Sequence, residues 1–244
     1  MLVAHPKLEM YIIYMPELKK LEKKLDYKFK DSDKLKKALV HRSYINEHPD
    51  FILGHNERLE FLGDAVLELI ITKYLFNQYP EKPEGVLTNW RASLVNSKML
   101  YQVASELVLD NYLYLSKGEA KEGNFKSRQF IMADAVEAII GAMYLDQGIE
   151  GAEVFVNNYI VSKLHHIISN ELYLDPKSRL QELAQEKESI TPHYNLLTEE
   201  GPDHEKIFSI GVYFENNMIA KGEGSSKHEA EVDAAKKALK IKKW

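Results

Sequence analysis

The chain contains no cysteine, so disulfides, thiolate metal sites and a cysteine nucleophile are all excluded. Such a composition fits an intracellular protein. Long apolar runs are missing too. The one apolar cluster near the N-terminus, Tyr11 to Met15, is too short to span a bilayer or serve as a secretory core, and no basic leader precedes it. The expected location is therefore cytoplasmic, with no membrane partner. Nor is there an excess of positive charge: the net charge is −5, whereas nucleic-acid-binding domains usually carry a basic footprint. That objection weakens if a group of acids is committed to bound cations, which reverse the local field. The sequence also lacks a GxxxxGK[ST] phosphate loop, a serine-hydrolase nucleophile elbow, internal repeats and low-complexity segments.

What is present is an ordinary globular composition, 45% hydrophobic and 28% charged over 244 residues, enough for one large domain or two smaller ones. The stretch from His55 to Phe76, HNERLEFLGDAVLELIITKYLF, reads as one long helix that is apolar on nearly every turn. Such a helix is normally buried in a core. Glu57, Glu60 and Asp64 interrupt it at spacings of three and four, which stacks the carboxylates along one stripe. Unpaired buried carboxylates either take up protons or find a cation. Arg58 is adjacent in sequence but turned about 100° away on a helix. A divalent metal is the first candidate.

The same oddity recurs in FIMADAVEAIIGAMYLD, where Asp134 and Glu137 lie three apart on one face among apolar neighbours. No basic residue stands at the matching spacings. One such pair is usually a solvent-facing stripe; two pairs on two core-like helices are harder to dismiss.

Taken in order, residues 1–15 form an N-terminal extension and 16–170 an all-helical domain. Pro16 opens a helix with Leu18, Leu21 and Leu25 on one face, and Asp31 or Ser32 caps a second carrying Leu35, Ala38 and Leu39. His41-Arg42-Ser43-Tyr44 reads as a helix-end packing motif. Asn56 is the expected cap of the central helix. The break at Tyr79–Gly85 leaves Glu84 at the mouth of the next helix, and Asn111–Glu122 reads as a loop. Residues 171–176 form a linker, after which the pattern changes. Residues 177–244 read α-β-β-β-α, a small α+β domain with strands HYNLLTE, IFSIGVYF and MIAKGEG. Phe208, Ile210, Val212 and Phe214 share one face, Asn216-Asn217 makes a tight turn, and Ala230, Ala234 and Ala238 let the last helix pack closely on the sheet.

All the strong ligand candidates in the first domain are carboxylates. Oxygen donors without cysteine or histidine favour Mg²⁺, with Mn²⁺ as its substitute, over Zn²⁺. Acid-held Mg²⁺ stabilises charge on phosphoryl oxygens and activates water, so the chemistry points to a metal-dependent phosphodiesterase. In the small domain, Gln181, Glu182 and Gln185 share a helix face, His204 sits in the Gly201–His204 loop, and Lys227, Lys236 and Lys237 add positive charge. Singly these are ordinary surface. Together they are the dispersed set that double-stranded RNA requires, because its A-form is read through phosphates and 2′-hydroxyls.

The string NERLEFLGDAVL at Asn56–Leu67 closely resembles the signature of bacterial ribonuclease III. HRSY, EGVLTNWRASLVN at Glu84–Asn96, KGE at Lys117–Glu119 and ADAVEAIIGAMYLD at Ala133–Asp146 support it. GPDH at Gly201–His204 and GSSKHEAEVDAAKKAL at Gly224–Leu239 resemble a double-stranded-RNA-binding domain, so the likeness runs from about Leu18 to Leu239. It implies an all-α nuclease domain working as a homodimer, followed by the RNA-binding domain. Its implied activity is hydrolysis of double-stranded RNA to 5′-phosphates, 3′-hydroxyls and short 3′ overhangs, in ribosomal precursors and structured messenger and transfer RNA transcripts. By motif match, Glu60, Asp134 and Glu137 would be Mg²⁺ ligands. Asp64 would hold the attacking water, Glu137 would also be catalytic, and Glu57 and Glu84 would be further acids assisting metal or RNA.

Three positions depart from the family pattern. Phe130 replaces the serine usual four residues before Asp134. The segment Glu122–Gln129 lacks paired glycines. His228, followed by Glu229, replaces the second lysine at the start of the last helix, which weakens phosphate contact there and makes it sensitive to pH. The competing reading is a non-catalytic RNA-binding or ribosome-assembly protein on the same fold, against which the intact set Glu60, Asp64, Asp134 and Glu137 speaks. A phosphohydrolase acting on small nucleotides would leave the RNA-binding tail unexplained.

Overall fold

The computed structural model describes residues 18–122, 124–202 and 206–244. The N-terminal extension, Pro16 and the loop residue His204 lie outside the described residues. Two compact units divide after Asn170.

The first unit is built from helices, with one bridge pairing Val40 and Tyr114. Helix α1, helical over 18–25, buries Leu18, Leu21 and Leu25. Asp31 caps α2 (Ser32–Ala38) by accepting from the Asp33 amide at 3.0 Å. The HRSY tetrad opens α3 (Arg42–Glu47): His41 caps it, and Tyr44 is buried and stacked on His48.

Helix α4 (Glu57–Gln78) starts differently from the sequence expectation. Asn56 holds the N-cap position but makes no side-chain cap. It is buried, and its Nδ2 donates to the Ala38 carbonyl at 3.3 Å while its amide donates to Val40 at 2.9 Å. The side chain therefore ties the start of α4 to the end of α2 instead of satisfying an orphan amide of its own helix. Helices α5 (Glu84–Val95) and α6 (Ser97–Glu106) follow, joined at Asn96, which caps α6. The segment read as a loop contains α7 (Lys117–Glu122). The Ser116 hydroxyl accepts from the Glu119 amide, and Glu47 takes the Lys117 amide, so side chains satisfy the first-turn donors of a helix too short and polar to show a hydrophobic period. Helix α8 (Phe125–Tyr159) begins well before the apolar stretch and is broken only at Gln147 and Gly148, where Gly148 has φ +79°. A short α9 (Leu164–Ser169) closes the unit.

Helices α4 and α8 form the central pair, and two glycines set their distance. A Cβ added at Gly63 would lie 1.8 Å from the Glu137 carbonyl oxygen, and one at Gly141 would lie 2.2 Å from that of Leu59. Backbone therefore rests on backbone. The order of these contacts, Leu59 with Gly141 and Gly63 with Glu137, makes the pair antiparallel. The buried side of α4 carries Leu59, Val66, Leu67, Ile70, Ile71 and Leu75. The opposite side does not fit the expectation of a helix buried all round: Phe61, Leu69 and Phe76 are 82%, 59% and 71% exposed. These three lie along one stripe that the described residues leave uncovered.

The second unit is the expected α-β-β-β-α domain. Asp175 caps α10 (Pro176–Glu188), with Pro176 in the first turn. Strands β1 (His193–Glu200), β2 (Ile207–Phe214) and β3 (Asn217–Gly224) form an antiparallel sheet in that order, and α11 (Lys227–Lys242) returns over it. Leu180 and Ala184 from α10, Val212 and Phe214 from β2, and Ala234, Ala235 and Ala238 from α11 share one core. The tight turn falls one residue earlier than read: Asn217 pairs with Phe214, leaving Glu215 at φ +52° and Asn216 between the strands.

Candidate metal centre and RNA-facing surface

The antiparallel crossing brings the acid stripe of α4 against that of α8. Glu60, Asp134 and Glu137 each offer a carboxylate oxygen within 4.8 Å of the others, and all three are half-buried. None of them accepts a hydrogen bond or joins an ion pair among the described residues. The electrostatic consequence is large. Burial, then the charges of Asp64, Asp134 and Glu60, push the Glu137 carboxyl up to about 8. Burial followed by Asp134, Glu57 and Asp64 raises Glu60, and burial raises Asp134. Three oxygen donors that repel one another, with no cation from the described residues to relieve them, fit a hard divalent ion.

The remaining predicted acids are placed differently. Asp64 is exposed and stands outside this trio, yet its charge acts on both glutamates. Glu57, at the start of the stripe, is paired: Arg42 Nη1 lies 3.4 Å and His55 Nδ1 3.7 Å from its carboxylate. The sequence reading missed both partners, because Arg42 arrives from α3 and no local spacing announces it. Glu84 stands apart at the start of α5, accepting from Thr88 Oγ1 at 2.8 Å, beside a cleft of about 480 Å³ that includes Phe76 and Arg91. Gly63 and Gly141, which make the close crossing possible, were also missed; their only sequence signal is a glycine inside each apolar helix.

Asp146 anchors α8 beyond the cluster. Its carboxylate accepts from the amides of Lys30 at 2.8 Å and Asp31 at 3.1 Å, and lies 3.4 Å from Lys34 Nζ. Burial works to raise its pKa, but these donors outweigh it and hold the carboxyl below the usual range.

In the second unit, Gln181, Glu182 and Gln185 are exposed on α10. Ser226 caps α11, whose first two residues, Lys227 and His228, are exposed as well. Gln181 and His228 line one cleft of about 310 Å³ with Tyr194. Lys236 and Lys237 do not join them: they sit roughly 13 Å further along α11 at 1.5 Å per residue, and Lys237 is paired with Asp233 at 2.7 Å.

Residues 31–164 match a family model described as ribonuclease-III-like, and residues 176–242 match the double-stranded RNA binding motif. A protein named Ribonuclease 3 from Carboxydothermus hydrogenoformans is 48% identical, over 91% of this chain and 94% of its own length. Another of that name, from Enterococcus faecalis, is 45% identical over 87% and 91%. Among solved structures, the nuclease domain of a Campylobacter jejuni ribonuclease III is 40% identical with a TM-score of 0.55, covering 61% of this chain and 97% of that domain. A second structure of that nuclease domain, 41% identical with a TM-score of 0.53 and covering 59% and 95%, is described as showing flexibility in a region involved in dimer formation.

Proposed function

The chain belongs to the ribonuclease III family and is a ribonuclease, and on that premise we propose that it cleaves double-stranded RNA in a Mg²⁺-dependent manner at the Glu60–Asp134–Glu137 cluster. The observation that carries the reading is this trio of mutually repelling, unpaired carboxylates, in a chain that also has a double-stranded RNA binding motif. A cation held there would stabilise charge on the phosphoryl oxygens of the scissile bond and lower the pKa of a water. Glu60, Asp134 and Glu137 would hold the ion. Asp64, exposed one turn beyond Glu60, would hold the attacking water. Glu57, restrained by Arg42 and His55, borders the site, and Glu84 serves a position outside the trio.

Gln181, Glu182 and Gln185 on α10 and Lys227 and His228 on α11 meet the minor groove and its phosphates, with Lys236 and Lys237 further along α11; His204, outside the described residues, is retained as an RNA contact from the sequence alone. The products are 5′-phosphate and 3′-hydroxyl ends with short 3′ overhangs, from ribosomal precursors and structured transcripts in the cytoplasm. No helix among the described residues is long and apolar enough to cross a membrane. The uncovered Phe61–Leu69–Phe76 stripe supports a homodimer, as does the dimer formation named for the Campylobacter jejuni domain. Cleavage of a long perfect RNA duplex with and without Mg²⁺, with product ends mapped, tests the activity. Normal cutting in the absence of any divalent ion would overturn it.

A further inference from the structure

One exposed side chain on the face of the metal centre is given no task by the proposed reaction. Phe130 lies four residues before Asp134 and seven before Glu137, in the regular part of α8, so all three share one stripe. The residue is 48% exposed. One turn earlier on the same stripe is Lys126, which is also exposed. From N- to C-terminus the stripe therefore reads cation, aromatic ring, acid, acid. A surface meant for a protein partner keeps charge out of its centre, whereas this ring is bracketed by charge on both sides. The order suits a sugar–phosphate backbone instead. One helical turn is about 5.4 Å, which is about the reach from a phosphate to the neighbouring sugar.

We propose that Phe130 is a substrate-contact residue, its ring packing on a ribose next to the phosphodiester held at Glu60, Asp134 and Glu137, with Lys126 meeting a phosphate further along the same strand. The proposal rests on the reading of that trio as the cleavage centre. The contact forms with the bound duplex before and during the reaction alike, so it strengthens binding uniformly and acts on KM rather than kcat.

The test is steady-state cleavage of an RNA duplex in saturating Mg²⁺ by the full chain and its Phe130→Ala, Phe130→Tyr and Glu137→Gln variants. Melting temperature, Mg²⁺ half-saturation and sedimentation are followed in parallel. Phe130→Ala should raise KM about fivefold, the lower end of aromatic–nucleotide stacking, with kcat within about twofold, and Phe130→Tyr should restore KM. Melting temperature, Mg²⁺ half-saturation and sedimentation should not move. An unchanged KM in Phe130→Ala, while the parent cuts and Glu137→Gln does not, overturns the contact and leaves the cleavage centre standing. Altered sedimentation overturns it too, by assigning the ring to a protein interface, and altered Mg²⁺ half-saturation does so by assigning it to the metal site. Normal cutting by Glu137→Gln sinks the underlying reading instead.

Discussion

The two units treat charge in opposite ways. In the first, the decisive charges are half-buried and of one sign: Glu60, Asp134 and Glu137 face one another with no ion-pair partner among the described residues. In the second, the charges lie near the surface and are largely matched. Lys177 meets Glu231 at 2.6 Å, and Lys206–Glu199, Lys237–Asp233 and Lys242–Glu188 all close at 2.7 Å. On the proposed reading a single cation relieves the first arrangement, so its energetics are dominated by one event. The second is already satisfied in the free protein. RNA must displace or bypass ion pairs that are individually weak, so its binding is spread over many small contributions. The contrast also disposes of the net charge of −5 as an argument against RNA binding, because part of the negative charge is concentrated at the site proposed to take up cations.

The comparison is sharpened most by Glu137→Gln. Losing one of the three carboxylates proposed to hold the ion should lower cleavage by on the order of a thousandfold. Affinity for duplex RNA, measured by filter binding, should stay within a few-fold of the parent. A variant that binds poorly but cuts at the normal rate would reverse the roles assigned to the two units.

Gly63→Ala attacks the same centre through its scaffold. The new methyl would meet the Glu137 carbonyl at 1.8 Å, so α4 and α8 must separate. Overpacking of this kind costs about 1–3 kcal/mol or more. Chemical denaturation should show that loss, and the variant should need more Mg²⁺ for half-maximal cleavage. Wild-type stability would show that the helices part freely.

A third prediction follows from protons. With its carboxyl pushed up to about 8 from the ordinary 4.5, Glu137 in the metal-free native chain retains a proton that the unfolded chain has already released. Its contribution to stability is thus full below 4.5 and is lost as pH rises through about 8. The slope from this one group is at most about 1.4 kcal/mol per pH unit. Melting temperature in a chelator should therefore fall across that window. Added Mg²⁺ should flatten the fall, and so should Glu137→Gln. A metal-free chain with constant melting temperature between pH 5 and about 8 contradicts the burial argument.

The smallest effects belong to the second unit. Lys227→Ala should reduce the salt dependence of RNA binding by about one phosphate contact, whereas Lys237→Ala, whose cation is already held by Asp233, should change it less. His228→Lys should increase the slope, because it adds a fixed positive charge at the start of α11. Equal slopes for both lysine variants would remove the distinction between paired and unpaired surface charge.

Much of this was legible in the sequence, for identifiable reasons. The acids of α4 and α8 stood out because carboxylates recurring at three and four residues interrupt otherwise apolar helices, and the alternation of Phe208, Ile210, Val212 and Phe214 announced a half-buried strand. Features that depend on non-local meetings were not legible. The Arg42–Glu57 pair joins α3 to α4, and Asn56 reaches back to Ala38 rather than capping its own helix. Helix α7 was hidden because its first-turn amides are satisfied by Ser116 and by Glu47 from another helix. The apolar face at Phe61, Leu69 and Phe76 was misread as core because periodicity does not distinguish a surface buried within a chain from one left open.

The glycine crossing of α4 and α8 has a consequence for how this protein tolerates change. Since main chain touches main chain at Gly63–Glu137 and Leu59–Gly141, no side chain acts as a spacer between the two acid stripes. Drift among the surrounding aliphatic residues, Ile for Val or Leu for Met, can adjust packing without altering the gauge between the carboxylates. The geometry of the centre is thereby insulated from most of its own hydrophobic surroundings and made dependent on two positions. A library of core variants should retain cleavage broadly, while substitutions at these two glycines should be sparse among the survivors.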